Sequence, residues 1–162
     1  MLKSSEIKAG YCVVPEEELS LSGEAMTGLL QAATGMRIPF RFKAMGFSMS
    51  PFIKNGDVVT ISPLLDHPIG FGKPVAFIHA QTGRLVIHRV VGKKGDYYLI
   101  KGDNSVETDG LIPMKDILGV VSKVERAGRK TQLGFGLERF IIAFLSKTRL
   151  LSFIFWIKSL IS

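Results

Sequence analysis

The chain has 162 residues, enough for one domain with an appendage and too few for two independent catalytic units. At 46% hydrophobic and 22% charged residues it is too apolar to be disordered, and it is slightly richer in apolar side chains than an ordinary soluble domain. Its single cysteine, Cys12, excludes an internal disulfide framework, and His67, His79 and His88 are not spaced like a Cys/His zinc site, so the expected chemistry uses no metal and no other cofactor.

Residues 1–14 contain no continuous apolar run and are not read as a secretory signal peptide. Residues 1–35 are acidic, with Lys3 and Lys8 against Glu6, Glu16, Glu17, Glu18 and Glu24. Pro15 and the three glutamates after it suit a helix start, and Leu19, Met26, Leu29, Leu30 and Ala33 supply an apolar side. Gly23 and Gly28 weaken that pattern and Gly35 stops it, which predicts a short or broken helix over about residues 16–34 that lids the core.

From Pro39 to Arg126 the texture changes to short β-branched and aromatic runs: PFRFKAM, DVVTIS, KPVAFIHA, RLVIHRVV, DYYLIK and ILGVVSKVE. The breaks between them are KNGD, DHPIGFG, QTG, GKKGD and GDNSVETDG. QTG and GKKGD have the composition of tight hairpins. The expected fold is mainly β, a coiled antiparallel sheet or small barrel of about six strands.

Residues 129–162 carry six Lys or Arg against Glu138 alone. Two apolar runs, Phe140 to Leu145 and Leu150 to Ile157, flank Lys147-Thr148-Arg149, and neither reaches the roughly 20 residues a membrane-spanning helix needs. Phe, Leu and Trp156 mixed with Lys and Arg describe a helical segment over residues 133–162 lying on an anionic membrane surface. The other reading is one or two helices packed on the core or on a second copy. The cations alternate with aliphatics in no base- or phosphate-reading motif, so no nucleic-acid partner is expected. Three regions follow: an N-terminal arm with a short helix (1–38), a β domain (39–128) and a basic apolar tail (129–162).

Three places could carry chemistry: Ser48 in Gly46-Phe47-Ser48-Met49-Ser50-Pro51, His88 in Val86-Ile87-His88-Arg89-Val90, and the acids Asp103 and Asp109 in Lys101-Gly102-Asp103-Asn104-Ser105-Val106-Glu107-Thr108-Asp109. Each has an ordinary explanation, since serine before proline and Gly-Asp-Asn are turn sequences and a lone strand histidine is usually structural. Together they supply a hydroxyl nucleophile, a base to take its proton and an acid to orient the base. His79 is a spare base, and His67 before Pro68 reads as a turn residue.

The stretch from Gly46 to Val59, with its Ser48-Met49-Ser50-Pro51 core and Gly56-Asp57 turn, resembles the nucleophile box of the signal peptidase I and LexA-like serine peptidases. His88-Arg89-Val90-Val91-Gly92 is similar to that superfamily's second box, and Lys101-Gly102-Asp103-Asn104 to its third, over roughly residues 39–124. Most of these enzymes use a lysine base where this chain has His88; histidine there resembles the Ser-His-Asp signal peptidases of the endoplasmic reticulum, archaea and some sporulating bacteria. The exchange is chemically sensible, because a lysine must be desolvated to act near neutrality whereas an imidazole needs only orienting. Lys101, in the third box, is not assigned as base.

The resemblance favours Asp109 as the third group and Asp103 as holding the Gly-Asp-Asn turn, with both kept as candidates. It also implies an oxyanion contact from the Ser48 N–H. Many signal peptidases add a hydroxyl two residues before the nucleophile, where this chain has Gly46 as the LexA-like proteins do. The implied activity is a membrane-associated endopeptidase that cuts an extended precursor peptide after small residues. Without an N-terminal anchor in residues 1–38, the membrane face is open and the cytoplasmic one is allowed. The alternatives are a self-processing protein, for which Ala9-Gly10 offers a small-residue bond, and an idle peptidase fold that binds peptides.

Overall fold

The computed structural model describes residues 6–8, 11–13, 23–131 and 136–148. Its elements are β1 (Glu6–Lys8), β2 (Tyr11–Val13), α1 (Gly23–Gly35), β3 (Phe40–Lys43), β4 (Val58–Ser62), β5 (Pro74–Ile78), β6 (Leu85–Lys94), β7 (Tyr97–Lys101), β8 (Thr108–Pro113), β9 (Ile117–Arg126), β10 (Arg129–Lys130) and α2 (Glu138–Lys147). Among the described residues one sheet holds every strand, in the order β1-β2-β3-β4-β9-β5-β6-β7-β8, with β10 folded back on β9. All neighbours are antiparallel except β2 and β3, which pair in parallel through Cys12 with Phe40 and Val13 with Arg41.

The two-residue period of the strands sorts the apolar side chains to opposite faces, and both faces are covered. Ala76 and Val121 join Phe40, Phe42, Val59, Ile61 and Val124 in one core, which Leu30 and Ala33 of α1 close. Their chain neighbours Val75, Phe77 and Val120 join Val90, Tyr98, Ile100, Ile112 and Ile117 in a second core on the other face. Double coverage explains why β5 is buried along nearly its whole length and why PVAFI reads as a continuous apolar run.

Mainly β architecture, the β5–β6 hairpin and the lid helix agree with expectation. In the hairpin the His79 N–H donates to Arg84 O at 2.9 Å and Gly83 N–H to His79 O at 2.8 Å. Gly83 has φ +64°, in the left-handed region where glycine is favoured.

Two expectations are corrected. The hydrogen-bonded path runs from β1 to β8 without returning, so among the described residues the sheet is open and is not a closed barrel. The stretch GDNSVETDG is only partly a break, because β8 begins at Thr108; as an edge strand containing Gly110 and Pro113 it has poor strand composition. GKKGD is the tight hairpin expected, joining β6 to β7. A register shift between Val90 and Gly92 lets β6 run on to Lys94, and the reversal takes only Gly95 and Asp96.

β1 and β2, from within the 1–38 arm, extend the sheet, and Ala127 (φ +49°) and Gly128 (φ +75°) make a two-residue turn from β9 into β10. Residues 16–22 of the expected helix, Ala9-Gly10, and residues 132–135 and 149–162 of the tail lie outside the described residues. Among the described residues no helix is long and apolar enough to cross a membrane.

Candidate active site

Ser48 stands in the turn that follows β3. Ala44 still belongs to the sheet's hydrogen bonding, its N–H donating to Asp57 O at 2.7 Å and its carbonyl accepting from Gly56 at 2.8 Å. Two residues on, Gly46 takes φ +97° and donates its N–H to Asn55 Oδ1 at 3.0 Å, which reverses the chain. Phe47 and Ser48 are thereby left exposed. Met49 then turns inward, and its carbonyl accepts from both Phe52 (3.1 Å) and Ile53 (3.0 Å). An exposed serine thus sits on a turn whose next side chain, with Ile53, is anchored in the core beneath α1.

The far end of this turn is tied to β9. Arg126 donates two hydrogen bonds to the Asp57 carboxylate, at 2.8 and 2.7 Å, and its Nη2 reaches the carbonyls of Pro51 and Phe52 at 3.4 Å each. Asp57 also accepts the Lys54 N–H at 2.8 Å. Burial alone would raise the Asp57 carboxyl, but the Arg126 and Lys54 hydrogen bonds outweigh it and hold the group below its ordinary value.

His88 lies in β6 with its ring 6.2 Å from that of Phe77. Its Nδ1 is 2.7 Å from Asp109 Oδ2, with side-chain exposures of 10% and 11%. An ionised carboxylate only accepts, so Nδ1 carries the proton and, in the neutral ring, Nε2 is the acceptor. Nε2 is buried and has no hydrogen-bond partner among the described residues.

The segment after β7 closes the site. Asn104 donates its N–H to Ser48 O at 2.7 Å and its Nδ2 to Phe47 O at 3.3 Å, clamping the serine turn from the other side. Between Lys101 and Asn104 stands Gly102. A Cβ there would lie 2.9 Å from His88 Nε2, 2.9 Å from the Ser48 carbonyl oxygen, and on top of Ser105 Oγ. The free nitrogen of His88 and the Ser48 peptide therefore flank one glycine, which has to be glycine for steric reasons.

Asp103 does something else. It is fully buried and accepts from Arg89 Nε (2.8 Å) and Nη2 (2.7 Å), while Arg89 Nη1 donates to Gly72 O at 2.7 Å and the guanidinium lies 5.5 Å from the Phe52 ring. Burial pushes the Asp103 carboxyl up and Arg89 opposes that push. The two acids left open by the sequence are thus divided: Asp109 contacts His88, and Asp103 contacts Arg89.

Beside Ser48 runs a cleft of about 320 Å³, lined on one wall by Ala44, Gly46 and Met49 and on the other by Leu85, Val86 and Ile87. β5 pairs with β6 from Leu85 onward, but β7 joins β6 only from Arg89. Leu85–His88 therefore present one strand edge with no strand partner among the described residues.

Of the spare candidates, His79 sits in the β5–β6 hairpin with Nδ1 3.3 Å from Thr82 Oγ1, and His67 is exposed in a turn after β4. Sequence reasoning did not assign roles to Arg89, Asn104 or Arg126. Arg89 and Asn104 sit inside the quoted boxes, directly after His88 and Asp103, which was the available signal; nothing local marks Arg126. No family model and no curated protein matches this chain.

Proposed function

We propose that the protein is a serine endopeptidase of the signal peptidase I type, with Ser48 as nucleophile, His88 as general base and Asp109 as the group that orients and stabilises it. The observation that carries this reading is the His88–Asp109 contact at 2.7 Å, with His88 Nε2 buried, unpartnered among the described residues and facing the Gly102 gap beside Ser48. Nε2 takes the Ser48 proton as Oγ attacks the scissile carbonyl, Asp109 stabilises the imidazolium, and His88 then protonates the leaving amine. Water, deprotonated by the same nitrogen, releases the acyl group. The Ser48 N–H is the oxyanion donor, without the extra hydroxyl that Gly46 cannot supply.

The substrate is an extended peptide with small residues at the cut. It adds as a strand along the open edge at Leu85–His88, where main-chain hydrogen bonds hold it and the cleft selects side chains. The same reading includes attachment to an anionic membrane surface through residues 133–162, of which 136–148 are described.

The test is intact-mass spectrometry of wild type and Ser48→Ala, each incubated with a precursor peptide carrying an Ala-x-Ala site in anionic liposomes. Cleavage of the peptide by wild type alone is the expected result. Ser48-dependent loss of the protein's own N-terminus would turn the assignment to self-processing, and no mass change in either would favour the idle, peptide-binding fold.

A further inference from the structure

α2 is seated in one orientation. Its inner face buries Ile142, Ala143 and Ser146, and Ile142 and Leu145 pack against Phe52. At its C-terminal end the buried Lys101 Nζ donates to Ser146 O at 2.8 Å. At its N-terminal end Gly72, with φ +81°, leaves so little room that a Cβ would come within 2.8 Å of Arg139 O.

With the inner face fixed, the outer face is fixed too, and it is apolar. Leu137, Phe140, Ile141 and Phe144, spaced like one stripe of a helix, are 83%, 42%, 64% and 59% exposed. The exposed Phe71 ring stacks on Phe140 at 6.3 Å and widens the patch. A helix on a water-facing surface ordinarily puts charge at such positions, and a contiguous apolar patch marks an interaction site.

Next to this patch lies a second, polar cleft of about 190 Å³, lined by His67, Lys73, Ser122 and Arg139 together with Pro74 and the Val120–Val121 stretch. Among the described residues no carboxylate lines it; the nearest acids in sequence are Asp66, beside His67, and Glu138, which accepts the Gly136 N–H at 3.0 Å. Lys73 Nζ donates to Pro68 O at 2.9 Å and keeps further N–H groups for a ligand. Arg139 Nε is buried and has no hydrogen-bond partner among the described residues. A buried guanidinium N–H without an acceptor is costly and calls for an acceptor-bearing group.

We propose that these two features form one docking site for an anionic phospholipid surface: Leu137, Phe140, Ile141, Phe144 and Phe71 enter the acyl boundary while Arg139, Lys73 and His67 hold a headgroup phosphate. Charge complementarity selects this occupant over a second copy, since residues 129–162 carry six cations and one acid and would repel their like. The proposal rests on the membrane part of the reading above and is independent of the Ser48 chemistry.

The experiment is co-sedimentation of the full chain with vesicles of phosphatidylcholine alone and of phosphatidylcholine with phosphatidylglycerol. Far-UV circular dichroism checks each variant's fold, and light scattering gives its mass in solution. Ile141→Asp and Phe144→Asp, both outward-facing, are expected to weaken binding to the anionic vesicles by at least about tenfold. Arg139→Gln and Lys73→Gln are each expected to weaken it by about fivefold, with no effect on the neutral vesicles.

Unchanged binding by the two aspartate variants overturns the proposal, as does a wild-type dimer that Phe144→Asp dissociates. Equal weakening on neutral and anionic vesicles by Arg139→Gln overturns the headgroup assignment. Ser48→Ala is expected to bind vesicles like wild type, so failure of the peptidase reading leaves this outcome untouched.

Discussion

Two aspartates six positions apart have different partners, and their asparagine variants should fail differently. Asp109→Asn keeps the shape but cannot stabilise an imidazolium on His88, so kcat for peptide cleavage should fall by about 10³–10⁴-fold with stability nearly unchanged. Asp103→Asn removes the countercharge of the fully buried Arg89, and urea denaturation should show a loss of about 3–5 kcal/mol. Ser48→Ala and His88→Ala should each abolish cleavage with the fold intact; full activity in His88→Ala would remove it as the base. The candidates themselves were legible in the sequence, because a serine, a histidine and acids stood in turn-rich boxes. Which acid meets His88 was open between two, with the resemblance favouring Asp109, and it is the pairing of β8 with β7 that brings Asp109 to His88.

Elements meet at glycines where backbones approach closely, and these contacts set how the site is assembled. Gly102 sits between the β7 end and the serine turn, and the Cβ of Gly102→Ala would press on His88 Nε2 and the Ser48 carbonyl together. Misplacing reacting groups by about an ångström costs on the order of a hundredfold, so this variant should lose most cleavage while remaining folded, as steady-state kinetics beside a thermal melt would show. Gly72→Ala combines a left-handed φ with a collision against the α2 backbone, and should cost about 1–3 kcal/mol. Hydrogen exchange should place that loss in α2. Strand runs and the lid helix were readable from period and turn residues. β8 was not, because an edge strand needs little apolar alternation, and β1 and β2 were not, because three-residue strands carry no period.

Across the whole molecule, β9 links the two cores and, at its end, holds the serine turn through Arg126 and Asp57. The Asp57 carboxyl is held below its ordinary value, so below the unfolded pKa the unfolded chain binds more protons than the folded one. Its contribution is therefore present at neutral pH and lost as pH falls through the acid range under about 4. Urea denaturation of wild type and Asp57→Asn should differ by about 1–3 kcal/mol at neutral pH, and the gap should shrink toward zero in strong acid. A constant gap across pH would show that packing, not charge, makes the difference.

A mainly β chain with a covering helix, the positions of most internal strands, the three boxes and the basic apolar character of the tail are all legible in the order of residues. These are properties of neighbours along the chain: period, turn chemistry and local charge. Folding in three dimensions sets the rest: among the described residues the sheet stays open and one edge of β6 has no strand partner beside Ser48, Asp109 rather than Asp103 touches His88, and α2 is seated with its apolar side outward. Each depends on contacts between residues far apart in sequence, and those are settled by strand register and packing, which no local pattern encodes.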